Sequence, residues 1–142
     1  NKGIVKTVWP GRLERLKLGN IPVYLDGAHN IDGAKKLLNF FTQNNQKVWI
    51  IIGMLNNKNL NDFIKILQPI TEGVVAVPIP KEKNSFTSDE IFNVCKTLNI
   101  ICYKKTNIKL ANQFLKKTIK PKLILVTGSL YLIGSIRDTN YK

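Results

Sequence analysis

A chain of 142 residues that is 44% hydrophobic has the length and apolar content of one globular domain with one core. Its formal charge of +13 raises the question of nucleic acid, yet lysine supplies 19 and arginine 3 of the 22 basic residues, without a long basic run or aromatic interleaving. A nucleic-acid partner is therefore not expected, and no apolar run approaches the roughly 20 residues that cross a bilayer, so neither is a membrane.

The first residues lack the charged, apolar and small-residue pattern of a leader, which leads us to expect an unprocessed cytoplasmic protein. The chain opens on Asn1, not methionine, and is read as a piece of something longer. Residues 12 to 18 and 22 to 25 read as short strands broken by Gly19-Asn20. From Ile31 to about Asn44, Ala34, Leu37, Leu38 and Phe41 follow helical spacing, with Asn30 as N-cap. The continuous apolar run Val48 to Ile52 predicts a central parallel strand covered on both faces. Leu60, Phe63, Ile64 and Leu67 repeat the helical stripe before Pro69, and Val74 to Val77 form another strand.

Thr87-Ser88-Asp89-Glu90 has the spacing of a capping box, with Ile91, Val94, Cys95 and Leu98 as the helical stripe behind it. Ile100 to Tyr103 predicts a strand, Ile108 to Leu115 a helix, Leu123 to Val126 a buried strand, and Leu130 to about Arg137 a last helix. Cys95 and Cys102 stand in apolar patterns with neither a CxxC pair nor a neighbouring histidine, and are read as reduced core thiols. The alternation predicts a single α/β Rossmann-like domain over residues 1–142. Its mostly parallel sheet has about six strands with helices on both faces, and the first strand is a candidate antiparallel edge.

Three strand ends carry polar groups where such a sheet presents ligands: Asp26 to Asn30, which holds the one histidine, Gly53 to Lys58, and Thr127 to Ser129. Neither a GxGxxG turn nor a GxxxxGK[ST] loop is present, so a site shared with another domain is expected.

Trp9-Pro10-Gly11-Arg12-Leu13-Glu14, Leu25-Asp26-Gly27-Ala28-His29-Asn30, Gly53-Met54-Leu55-Asn56-Asn57-Lys58 and Val126-Thr127-Gly128-Ser129-Leu130-Tyr131-Leu132 occur in this order across nearly the whole chain. Together they resemble the C-terminal domain of folylpolyglutamate synthase and dihydrofolate synthase, within the Mur ligase superfamily. The resemblance implies an ATP-dependent ligase that joins L-glutamate to folate or dihydropteroate through an acyl phosphate. It also implies that the phosphate loop and the Mg2+ ligands belong to an N-terminal ATPase domain outside this chain. On that reading the chain alone is inactive, holds no metal itself and belongs to a monomeric enzyme.

Carried over by motif position, Arg12 would reach the ATP phosphates, and Asp26 would bond the ribose or orient Arg12. His29 would lie near the incoming glutamate or the reacting carboxylates, as a catalytic or an orienting group. Asn30 would cap the first helix and hold the substrate loop. Lys58 would meet a substrate carboxylate, and Ser129 would bond glutamate. Plainer readings stand beside these: a surface arginine paired with Glu14 or Asp26, a helix-capping Asp26 or His29, a solvated Lys58, and a turn serine beside Gly128. The family commonly has proline where Ile31 stands, and acids at Asn57 and Asn59. The competing functions are a non-catalytic anion- or partner-binding module and a cell-wall Mur-type ligase domain.

Overall fold

The computed structural model describes residues 12–136 and 141. Its elements are β1 (Glu14–Leu18), β2 (Ile21–Asp26), α1 (Ile31–Gln43), β3 (Val48–Ile52), α2 (Leu60–Leu67), β4 (Thr71–Ala76), α3 (Ser88–Thr97), β5 (Cys102–Lys104), α4 (Ile108–Phe114), β6 (Ile124–Thr127) and α5 (Leu130–Gly134). The strands form one sheet in the order β1-β2-β6-β3-β4-β5. All neighbours are parallel except β1 and β2, which make an antiparallel hairpin, so the first strand is the expected antiparallel edge.

Every residue of β3 is buried because the sheet is covered on both faces and successive side chains enter opposite layers. Val48, Ile50 and Ile52 join Ala34, Leu37 and Phe41 of α1, Phe63 and Leu67 of α2, and Ile91 and Cys95 of α3. Trp49 and Ile51 face the other layer, with Ile108 and Ala111 of α4 and Leu132 and Ile133 of α5. Each fully buried large side chain, Phe41 and Phe63 among them, contributes roughly 1.5–3 kcal/mol through removal from water.

The boundaries move where local chemistry intervenes. The first strand starts at Glu14 rather than residue 12 because Leu13 takes a left-handed φ of 47°, which no extended strand accommodates. The strand expected over residues 100–103 is β5 at Cys102–Lys104, since the Ile100 amide still donates to the Cys95 carbonyl at 2.9 Å and finishes α3. The fourth strand begins earlier than expected, at Thr71, and α4 runs on through a π-helical turn at Leu115–Ile119. The capping box forms as its spacing predicts: Thr87 Oγ accepts from the Glu90 amide at 3.1 Å, while the Thr87 amide donates to Glu90 Oε1 at 2.9 Å. Trp9, Pro10, Gly11 and Arg137 lie outside the described residues.

Candidate active site

Asp26, Thr127 and Ile52 are register partners, so β2, β6 and β3 end level and release their loops at one rim. The helices that follow diverge: α1 and α2 pack in one layer and α5 in the other. A crevice therefore opens on either side of β6, the topological switch point at which such sheets bind ligands. Gly128 makes the close approach possible, since its φ is +113° and an added Cβ would lie 2.2 Å from the Gly53 carbonyl oxygen. The Gly128 amide donates to the Ala28 carbonyl at 3.0 Å, tying the loops after β2 and β6 together.

On the β2 side lies a cavity of about 400 Å³ whose lining includes Arg12, Leu13, Asp26, His29, Asn30, Asp32, Lys36 and Leu130. The Asp26 carboxylate accepts from the Leu13 amide at 3.0 Å and the Ala28 amide at 2.9 Å. Its two oxygens thus pin the left-handed turn that presents exposed Arg12 to the loop that presents His29. Burial raises the Asp26 pKa from its usual 3.8, opposed by these two amides and by the charges of Arg12 and Lys36.

On the β3 side a second cavity, of about 350 Å³, is lined by His29, Leu55, Lys58, Gly128, Ser129, Leu130 and Tyr131. Ser129 caps α5 by accepting from the Tyr131 amide at 3.0 Å, and a hydroxyl engaged this way still has a proton to donate. A third cavity, where the N-termini of α1 and α2 meet, is lined by His29, Asn30, Lys58 and their neighbours. His29 is the residue common to all three. Its Nδ1 lies 3.0 Å from the Gly27 carbonyl oxygen, which can only accept, so Nδ1 is the donor in this contact.

All six residues singled out in the sequence line this rim. Arg12, Asp26, His29 and Asn30 share the first cavity, and His29, Lys58 and Ser129 share the second. Asn30 caps α1, accepting from the Gly33 amide at 2.9 Å. Sequence reasoning missed Leu130, 55% exposed, which lines both main cavities and separates them. Lys36, a turn and more into α1, was also missed, though its i+4 spacing from Asp32 puts both on one helix face. Among the described residues there is no group of three or more His, Cys, Asp or Glu that could hold a metal ion, and no helix is long and apolar enough to cross a membrane.

The family model for the Mur ligase, glutamate ligase domain matches residues 11–130. A dihydrofolate synthase/folylpolyglutamate synthase of Bacillus subtilis is 31% identical over 137 residues, covering 95% of this chain and 31% of that protein. Folylpolyglutamate synthase of Lacticaseibacillus casei is 26% identical, covering 97% of this chain and 31% of its own length. The chain thus spans about a third of the curated relatives it matches. Among solved structures, folylpolyglutamate synthase of Thermotoga maritima superposes with a TM-score of 0.82 at 26% identity, over 98% of this chain and 32% of that one. A bifunctional folylpolyglutamate synthase/dihydrofolate synthase with Mn, AMPPNP and L-glutamate bound shares the fold at a TM-score of 0.79 and 18% identity, over 95% of this chain and 32% of that one.

Proposed function

Because this chain belongs to the Mur ligase glutamate ligase domain family, we propose that it is the C-terminal part of a cytoplasmic, monomeric ATP-dependent ligase that joins L-glutamate to folate or dihydropteroate. The observation that carries this reading is the meeting at His29, on either side of β6, of a charged cavity that offers Arg12 and Lys36 beside Asp26 and Asp32, and a mainly apolar one. One can take polyanionic phosphates and the other an amino acid, with the reacting atoms between them. A carboxylate is a poor electrophile. The γ-phosphoryl of ATP moves first to the acceptor carboxylate, the glutamate amine then attacks the acyl phosphate carbonyl, and phosphate leaves with the C–O bond electrons.

In this reading Arg12 neutralises phosphate charge with a planar guanidinium, and Asp26 holds Arg12 in place through the Leu13 amide. His29 Nε2 faces the incoming amine as an acceptor, and Asn30 fixes the loop by capping α1. Lys58 pairs with a glutamate carboxylate while the Ser129 hydroxyl donates to it. We assign the metal, which would neutralise triphosphate charge, to the nucleotide-binding domain that the family resemblance implies. The synthase solved with Mn, AMPPNP and L-glutamate bound supports this choice of ligands.

The test joins this chain to the ATPase domain of a relative and measures glutamate ligation to folate and to dihydropteroate. Ligation is expected in the joined protein and not in this chain alone, and Arg12→Ala should lower turnover roughly 10²- to 10³-fold with folding intact. Glutamate-dependent ATP hydrolysis by the isolated chain, or full turnover with Arg12→Ala, would overturn the reading.

A further inference from the structure

Lysines that are scattered along the chain gather in the fold at the end of the sheet opposite the candidate active site. Helices here start at the carboxyl rim and finish near the amino ends of the parallel strands, and charge follows their dipoles. Asp32, Asp62, Asp89 and Glu90 stand in first helical turns, whereas Lys65, Lys96, Lys116 and Lys117 stand in last turns. The π-helical turn Leu115–Ile119 and a left-handed φ of 54° at Lys120 then carry the chain into β6, with Lys116, Lys117, Lys120 and Lys122 all exposed. Two further lysines join them from distant parts of the chain. Trp49 and Ile124 are register partners in parallel strands, so exposed Lys47 and Lys122, two residues before each, lead into β3 and β6 at one level. Lys116 lies along the β1–β2 turn, where a Cβ on Gly19 would come within 3.2 Å of its Cε, and exposed Lys17 precedes that turn. Among the described residues none of these lysines is in an ion pair, and the acid that this edge carries is exposed Glu72, near the start of β4.

We propose that this amino-end face, formed by Lys17, Lys47, Lys116, Lys117, Lys120 and Lys122, binds the phosphate backbone of double-stranded nucleic acid without regard to base sequence. The lysines in chain order do not suggest such a partner; their convergence does. Strands β1, β2, β6 and β3 are neighbours, so their ends spread the charges over about 14 Å at the usual strand spacing. That span exceeds a single small anion and suits a repeating one, and a duplex offers one phosphate per roughly 1.7 Å of its axis. The exposed aromatic side chains, Tyr103 and Tyr131, lie on edge strand β5 and at the carboxyl rim, so this face has no platform for the unpaired bases of a single strand. The exposed large aliphatic side chains, Ile31, Ile101, Leu110 and Leu130, stand beside other elements, so a bilayer would find no apolar anchor among these lysines. A lysine ammonium is a point charge, which neutralises phosphate and leaves base edges unread.

The test titrates a fluorescent duplex of about 20 base pairs with the whole 142-residue chain across a salt series and follows anisotropy. Six phosphate contacts predict a slope of log K against log salt of about −5. Replacing Lys116, Lys117, Lys120 and Lys122 together by Gln should reduce the slope to about −2 and weaken binding at least about 10²-fold at low salt. Lys35, Lys81, Lys83 and Lys109 replaced together by Gln lower the net charge equally but lie on other elements, and this variant should keep the wild-type slope. Thermal unfolding checks that each variant folds; if the first does not, Lys17→Gln with Lys47→Gln should lower the slope by about 2. Equal losses in the two fourfold variants, absence of duplex binding, or tighter binding of the single strand would each overturn the proposal. Capture by vesicles of anionic lipid or by poly-L-glutamate, at a salt concentration where the duplex stays free, would overturn it in favour of a membrane or an acidic protein.

Discussion

Two regions of the rim end differently: the loops on either side of β6 open into cavities, whereas those after β3 and β4 close on one another. Beyond β3 and β4 the helices α2 and α3 pack in the same layer, and the connection after β4 closes on itself. There Ser85 Oγ accepts from the Ile79 amide at 2.9 Å and donates to the Phe86 carbonyl at 2.8 Å, while the Phe86 amide donates to the Met54 carbonyl at 2.8 Å. Around β6 the helices part, and the loops keep their polar side chains turned toward open cavities. Polar residues at a carboxyl edge become a site where the covering helices diverge; elsewhere the same residue types satisfy one another.

The comparison breaks most completely at Gly128. Gly128→Ala puts a Cβ 2.2 Å from the Gly53 carbonyl oxygen at a φ of +113°, so the loops after β6 and β3 can no longer touch. Combined backbone strain and overpacking should cost at least about 3 kcal/mol. Gly134→Ala, six residues on, meets nothing within 4 Å and should be neutral or stabilise by up to about 1 kcal/mol. Urea denaturation of the two variants, side by side, measures the contrast; equal midpoints would mean that the rim does not depend on this contact.

Asp26→Asn removes the tie rather than the approach. An amide side chain has one acceptor oxygen for the two backbone amides of Leu13 and Ala28, leaving one facing an NH2 group, at a cost of about 1–3 kcal/mol near neutral pH. The sign of the pH dependence separates this role from that of a plain surface acid. Burial raises the folded-state pKa above the usual 3.8, so between those values the folded chain binds more protons than the unfolded one. Stability from this group is therefore greatest below 3.8 and falls as pH climbs through the folded-state value. The urea midpoint of the wild type, followed across that window, should carry this decline, and Asp26→Asn should lack it.

Much of this was readable in advance because it is local or periodic. The unbroken apolar run of β3 announces two covered faces, and Thr87 with Glu90 announces the start of α3, since a capping box is complete within four residues. Asn30 as the cap of α1 belongs to the same class. What could not be read depends on contacts across the chain. The left-handed turn at Leu13 needs the carboxylate of Asp26, thirteen positions away. Cys95 and Cys102 enter one layer only because α3 turns back onto β5, which spacing in an apolar pattern does not reveal. Lys58 was singled out by its strand end and its motif, not by its residue type, and the loop after β3 sets it in one cavity with His29 and Ser129.

The smallest expected change in stability sharpens the comparison most finely. Leu130 opens α5, is 55% exposed, and lies so flat against Gly27 that a Cβ there would come within 2.3 Å of its Cδ2. Little apolar area is removed from water at this position, so Leu130→Ala should shift unfolding by no more than about 0.5–1 kcal/mol. Its side chain is nevertheless a shared wall of the two main cavities, and truncation joins them beneath His29. If the crevices on either side of β6 receive different ligands, this variant should keep the fold and weaken both sites together, measured by titrating the joined two-domain protein with ATP and with L-glutamate. Loss confined to one ligand would assign Leu130 to a single cavity. Unchanged binding of both would mean that divergence of α1 and α5 alone, without a partition, is enough to shape the rim.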